Sequence, residues 1–355
     1  MKRILFMICF IILAAVSLFS QADLQPAAIV NLLRSEPITV RQLRLEVERM
    51  ERTAGRSLNT SERLQVLEAM INERLVLQGA ERERVSVTEN ELNNQLQQLR
   101  NTMAQQIQRN PTDIEFNVAL RNDSRIELLA DDPRFMELFR DQLRNQMITQ
   151  KFLMAKKGSI INAITPPTDA EIIARFELER AQFVRPQTVR FILIQVPYGP
   201  DATSRTAARQ LAERLHTEIG SSASVFDEVA ARSQSPNSGF QAGDAGFLPY
   251  NREARNVIGS ELLNAAFTIR QGEVSGIIEG VQGFQIIKVT ENYALRIMEI
   301  DDIIQLGSRV TVRNYIGQAI MAEKQQAAVA QASQDLITEL RAGRTVQIFE
   351  RNLNW

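Results

Sequence analysis

The stretch from Val189 to Val289 constrains this chain more than any other. It opens on Val189-Arg190-Phe191-Ile192-Leu193, passes through Gly243-Asp244-Ala245-Gly246-Phe247, and closes on Gly283-Phe284-Gln285-Ile286-Ile287-Lys288-Val289. The first run, continued to Val196, is rich in branched residues, as a buried central strand is. A helix is predicted over Ala202 to Ile219, and a shorter one starts at Ser224-Val225-Phe226-Asp227-Glu228-Val229-Ala230. Gly239, Gly243 and Gly246 supply the permissive backbone of a tight loop. Leu262, Leu263, Ala266 and Phe267 then precede the turn Gln271-Gly272-Glu273, with strands predicted over Val274 to Glu279 and Phe284 to Val289. The order β-α-α-α-β-β fits a small antiparallel sheet with helices packed on it.

The half that precedes this stretch reads as mostly helical. Ala27 to Leu33 has strand character, Arg34-Ser35-Glu36-Pro37 is turn-like, and Thr39 caps a helix beginning Val40-Arg41-Gln42-Leu43. Leu64, Leu67, Ile71 and Leu75 mark one face of a helix from about Thr60 to Arg82. Thr88 and Glu91 form a capping box for a helix running from Leu92 to about Gln108. Pro111 and Pro133 punctuate the chain beyond it, and Phe135 to Lys156 is helical again. After Pro166-Pro167, Thr168 and Glu171 make a second capping box for a helix reaching about Phe183, and Pro186 stiffens the link beyond it. Past Asn292 the apolar passage Ile297 to Leu306 leads into a long helix from about Ser308 to Leu340, whose stripe of Val312, Ile316, Ala319, Ala327, Ala330 and Ile337 is interrupted by Glu323. Gly343 ends that helix, and Thr345 to Phe349 has strand character. A coiled-coil adaptor would need a sustained heptad pattern, which is missing.

The N-terminus carries Lys2-Arg3, an apolar run from Ile4 to Val16, and small residues at Ser20 and Ala22, the parts of a secretory signal cleaved near Ala22. The run is shorter than the roughly 20 apolar residues of a spanning helix. Cys9 lies inside it, so a mature chain starting at Asp23 has no cysteine, no disulfide, and a core held by burial alone. Cleavage takes the formal charge from −1 to −3, which leaves nothing basic enough for nucleic acid. His216 is the single histidine and reads as a solvated helix residue. A zinc site or a Ser-His-Asp triad needs partners that this composition does not easily supply, and no cofactor is expected. With 355 residues, more than one domain is expected.

The motifs from Val189 to Val289 resemble the parvulin-type prolyl isomerases, whose first strand carries His-Ile-Leu and whose last carries Gly-Phe/Tyr-His-Ile-Ile-Lys-Val. The Gly-Asp-x-Gly passage and the run from Phe267 to Ser275 fall in family order. The mostly helical first half, with Val66 to Leu77 as its leucine-rich second helix, resembles the N-terminal chaperone domain of the SurA family. The resemblance implies an α+β protein made of a signal peptide at 1–22, a helical domain at 23–165, a linker helix at 166–186, a parvulin-like domain at 187–294, and a C-terminal helix and strand at 295–355 that pack back on the helical domain.

Carried over position by position, the parvulin resemblance places Phe191 and Gln285 where the family has histidines, and Ser235 at the family's cysteine or aspartate. The proline pocket falls to Ile258, Leu262 and Phe267, with Ala245 in place of a larger leucine. Phenylalanine makes no hydrogen bond, and glutamine makes them without titrating. The implied function is a periplasmic chaperone for unfolded envelope or outer-membrane polypeptides, its parvulin domain kept as a grip of weak or lost activity. The alternatives are an active prolyl isomerase and a structural envelope adaptor. Met50, Met70, Met103, Met136, Met147 and Met154 are adaptable side chains of the helical half that serve either as core filler or as client contacts.

Overall fold

In a computed structural model of the protein, residues 24–122, 124–353 and 355 are described. The expected signal segment and Cys9 lie outside them. Among the described residues no helix is long and apolar enough to cross a membrane.

In chain order the elements begin with strands β1 (Pro26–Asn31) and β2 (Ser35–Thr39). Helices α1 (Val40–Ala54), α2 (Thr60–Arg82), α3 (Glu89–Ile107), α4 (Asp113–Asn122), α5 (Phe135–Asn162) and α6 (Asp169–Glu179) come next. Then come β3 (Val184–Arg185), β4 (Thr188–Pro197), α7 (Ala202–Ile219), α8 (Ala223–Ala231), β5 (Gln241–Pro249), α9 (Arg252–Ile258) and α10 (Ser260–Thr268). The chain continues through β6 (Ile278–Glu279), β7 (Gly283–Tyr293), β8 (Arg296–Ile297), α11 (Val312–Arg341) and β9 (Val346–Ile348). It divides into two compact units, one of residues up to Thr165 together with Lys324–Trp355, the other Pro166–Glu323.

In the first unit the sheet order is β2-β1-β9. The expected turn at Arg34-Ser35-Glu36-Pro37 is mostly strand, because β2 is an edge strand and Pro37, which lacks an N–H, costs no ladder bond there. Thr39, Asn59, Thr88 and Thr112 each accept a backbone N–H three residues on. Gln42, Glu62, Glu91 and Glu115 return the bond to the cap's own N–H, so four helices start on the same reciprocal box. The Thr112–Glu115 pair starts α4, a helix absent from the sequence expectations. Two cores fill this unit. One joins Leu43, Val47, Leu67, Ile71, Leu75 and Phe152 to Leu336 and Leu340 at the end of α11. The other gathers Leu92, Phe116, Phe135, Phe139 and Leu143. Gly79 lets the helices of the first core close up, since a Cβ there would stand 3.0 Å from both Phe152 and Leu340.

The second unit holds a four-stranded antiparallel sheet of order β5-β4-β7-β6. Ile194, Val196, Phe284 and Ile286 on one face pack against α7 and α8. Val189, Phe191, Ile287 and Val289 on the other pack against Leu262 and Ala266 of α10. The glycine passage expected as a tight loop is instead strand β5. Its pairing with β4 jumps from Arg190↔Phe247 to Ile192↔Asp244, so Ala245 and Gly246 form a bulge, with Gly246 at φ +76. The expected strand Val274 to Glu279 shrinks to Ile278–Glu279 plus a single bridge from Val274 to Lys288.

The C-terminal segment also differs from expectation. Val312, Ile316 and Ile320 of α11 pack with Ile172, Phe176, Phe183 and Met298 inside the second unit, and β3, in the expected linker, pairs with β8. The apolar stripe of α11 therefore has two destinations rather than one, and only its later part joins the first unit's core.

Candidate functional site

Sheet alternation places Phe191, Leu193 and Gln195 of β4 and Gln285, Ile287 and Val289 of β7 on one face. The register sets Phe191 opposite Val289 and Gln285 opposite Gln195. Phe191 and Gln285, the positions at which the resemblance expects histidine, are thus four residues apart along the pairing, roughly 13 Å at about 3.3 Å per residue. Phe191 is 2% exposed and belongs to the apolar cluster under α10. The Phe191 side chain itself can neither donate nor accept a hydrogen bond.

Ile258, Leu262 and Phe267 join the same cluster as Phe191, so the structure brings these four together. Phe267 lies edge-on to Tyr250 with ring centroids 5.0 Å apart. Ala245 and Ser235 stand elsewhere. Ala245 is exposed in the β5 bulge, and Ser235 is exposed behind a 3₁₀ turn where its N–H donates to the carbonyl of Arg232. The Gly-Asp-x-Gly motif has a structural task instead. Asp244 accepts from the Gly246 N–H at 2.9 Å and from the Arg190 guanidinium, which also donates to Glu291 at 2.9 Å. The Arg190 bonds, then the Gly246 N–H, hold the Asp244 carboxyl below its ordinary value, while Glu291 is held down first by the Tyr293 hydroxyl and then by Arg190.

Gln285 is 7% exposed, and its Oε1 has no hydrogen-bond partner among the described residues. The carboxamide lies over Gly280, whose ideal Cβ would come within 2.6 Å of that oxygen. The neighbouring backbone is already committed: the Gly280 N–H donates to Gly283, and the Gly280 carbonyl accepts from the Tyr198 hydroxyl. A buried polar atom left unmatched in this way costs about 1–3 kcal/mol.

The first unit contains a cavity of about 830 Å³. Its apolar wall includes Met50, Leu58, Val66, Met70, Val76, Leu153 and Ile337. Gln142, Asn145, Gln146, Thr149 and Gln150 recur every three or four residues along α5, so α5 turns a strip of uncharged polar side chains into the space. The charged groups at its rim neutralise one another: Glu46 pairs with Arg49, Glu62 with Arg56, and Glu73 with Arg125. Arg56, followed by the Asn59 N–H, lowers Glu62 to about 2. Sequence reading misses this strip because glutamine and asparagine on a helix look like an ordinary wet face. Of the methionines, Met50 and Met70 line the cavity, while Met103, Met136 and Met147 fill the second core.

Known proteins match both halves. A family described as the PPIC-type PPIase domain matches residues 191–291, and one described as the SurA-like N-terminal domain matches residues 2–122. Chaperone SurA of Nitrosospira multiformis is 28% identical over 230 residues, covering 64% of this chain and 46% of that protein. Chaperone SurA of Alcanivorax borkumensis is 30% identical over 241 residues, covering 64% and 47%. The chain spans about half the length of these curated relatives. A solved structure from Campylobacter jejuni, from a study of two SurA-like chaperones, aligns over 92% of this chain and all of its own at a TM-score of 0.40 and 14% identity. One half is thus similar to the SurA N-terminal domain and the other to the PPIC-type rotamase domain, and the curated relatives that this chain resembles are SurA chaperones.

Proposed function

We propose that the protein is a periplasmic chaperone that holds unfolded envelope polypeptides, outer-membrane proteins among them, in the cavity of its first unit. The observation that carries this reading is the cavity itself. An apolar wall takes up side chains, uncharged amides on α5 offer both donors and acceptors to a peptide backbone, and a neutralised rim leaves no fixed charge to select one sequence. At about 830 Å³ it lies within the range of single ligand sites, so it grips a short segment of a client. Export is supported by Lys2-Arg3 and the apolar run after them, with cleavage near Ala22.

The parvulin-like unit serves in this reading as a second grip, with Ile258, Leu262 and Phe267 as its apolar floor. Isomerase chemistry stabilises a twisted amide with placed hydrogen bonds. Phe191 supplies none, Ser235 stands outside the cluster, and Gln285 lies four register positions from Phe191.

The test is suppression of aggregation of a urea-unfolded outer-membrane barrel protein. Ala69→Glu sets an unpaired charge on the cavity wall from an exposed helix position and is expected to reduce suppression several-fold, while Phe267→Ala leaves most of it. Undiminished suppression by Ala69→Glu removes the cavity from the reading. On the same samples, isomerisation of a proline tetrapeptide is expected to stay within twofold of the uncatalysed rate; acceleration that Phe267→Ala abolishes would restore the enzyme alternative.

A further inference from the structure

We infer that Arg125 stands at the rim of the first unit's cavity in the place of a basic residue of the client, and that the cavity takes apolar segments carrying a lysine or arginine. The inference deepens the reading of this cavity as the site that holds polypeptide, and rests on it.

Arg125 lies in the connection between α4 and α5 and lines the cavity together with Glu46 of α1, Glu73 of α2 and Gln142 of α5. Its guanidinium faces two carboxylates on different helices, Glu73 at 3.5 Å and Glu46 at 4.0 Å. Both separations exceed the roughly 2.7–2.9 Å of a charge-assisted hydrogen bond. The neighbouring rim cations are held closer, with Arg56 donating to Glu62 at 2.6 Å and Arg49 Nε to Glu46 at 3.1 Å. The Arg125 side chain is also 59% exposed, and ion pairs so open to water contribute little. Its main chain, by contrast, is fastened: the Arg125 N–H donates to Gln142 Oε1 at 3.2 Å, and Ile126 packs on the second core. The guanidinium can therefore swing into solvent while the connection keeps its course.

That exchange specifies what replaces it. With Arg125 swung out, Glu46 keeps Arg49, whereas Glu73 loses the cation that faced it. A lysine or arginine of the client restores a neutral rim, and an aspartate or glutamate adds to its negative charge. Met70 and Val76 stand three residues to either side of Glu73 on α2, and Met50 stands four residues beyond Glu46 on α1, so apolar side chains flank both carboxylates on the helix faces that line the cavity. A cation on a methylene stem, with apolar neighbours, matches that surface.

The experiment follows the fluorescence anisotropy of labelled nine-residue peptides of leucine, valine and serine whose central residue is lysine, glutamine or glutamate, titrated with the full-length mature protein. The parent is expected to bind the lysine peptide about fivefold more tightly than the glutamate peptide, the size of effect an exposed ion pair gives. That difference is expected to vanish at about 1 M salt, where charges are screened beyond about 3 Å. Arg125→Ala removes the internal occupant and is expected to tighten the lysine peptide about threefold further, while Glu73→Gln erases the preference for lysine. Both side chains are exposed, so unchanged melting temperatures separate altered binding from altered folding. Equal binding of the three peptides by the parent, or an Arg125→Ala variant that fails to tighten the lysine peptide, overturns the inference. Ala69→Glu, tested with the glutamine peptide, separates the two levels. If it abolishes binding while Arg125→Ala changes nothing, the inference fails and the cavity still holds polypeptide. If the glutamine peptide binds Ala69→Glu undiminished, the cavity reading fails along with the inference.

Discussion

Among the described residues two glutamines are almost fully buried, one in each unit, and they are treated in opposite ways. Gln78 in α2 is 1% exposed, and its Oε1 faces the backbone N–H groups of Leu32, Leu33 and Arg34 at 3.1, 3.0 and 3.4 Å while its Nε2 donates to Glu36 at 3.0 Å. That one side chain closes the turn between β1 and β2 onto α2. Gln285 in β7 is 7% exposed, yet no described residue gives its oxygen a hydrogen bond. A buried amide whose bonding capacity is used stabilises a fold; one whose capacity is unused lowers stability and is available to something else. The first unit commits its buried amide to architecture, and the second leaves the oxygen of its own unmatched.

The comparison breaks first at Gln78. Gln78→Leu leaves the turn's N–H groups without their acceptor, while Glu36 keeps its ion pair with Arg74, and it is expected to lower unfolding free energy by about 3 kcal/mol in urea titration, within the range for buried groups stripped of partners. A loss under about 1 kcal/mol would mean the turn is held by other contacts. Gln78→Glu keeps the acceptor but sets a second carboxylate against Glu36, and a loss of about 1–2 kcal/mol at pH 7 is expected, since the pair's lost donor is replaced by a like charge. Calorimetry that ranks it between the parent and Gln78→Leu supports the assignment of both ends of the amide.

Gln285→Leu is expected to leave stability within about 1 kcal/mol of the parent or to raise it, because replacing an unmatched polar group with an apolar one of similar shape removes a desolvation cost. A clear loss in the same titration would show that the amide has an internal partner after all, and the contrast between the units would collapse.

The smallest effect concerns the β5 bulge. Asp244 has a folded pKa below its ordinary value of 3.8, so its contribution to stability is fully present above that value and disappears as pH falls through the lower folded value. The melting difference between the parent and Asp244→Asn is expected to be small and constant from about pH 7 to about pH 5, then to shrink below about pH 4. A difference that grows on acidification would contradict the Arg190 pairing.

Legibility follows distance along the chain. The boxes at Thr88–Glu91 and Thr168–Glu171, and the bounds of α2 and α7, are readable in the sequence because a cap and a helix face involve residues three or four apart. The same rule applies at Thr112–Glu115, where Pro111 immediately before it masks the helix start. β5 reads as a loop because glycines mark bulges and turns alike, and only the neighbouring β4 distinguishes the two. Of the candidate site, Phe191, Ile258, Leu262 and Phe267 converge, whereas Ser235 and Ala245, which motif alignment alone had placed, stand apart.

By itself, the sequence determined most of the helix starts, the apolar faces and the antiparallel sheet of the second unit, since each depends on residue type and local period. Tertiary structure decided the rest: that α11 divides its stripe between two cores, that uncharged residues of α5 line a cavity, and that Gln78 finds its partners while the Gln285 oxygen finds none. The physical reason is that a hydrogen bond is a relation between two groups. Gln78 meets the Leu32 and Leu33 N–H groups across separations of 46 and 45 residues, and no local pattern records whether such a meeting takes place.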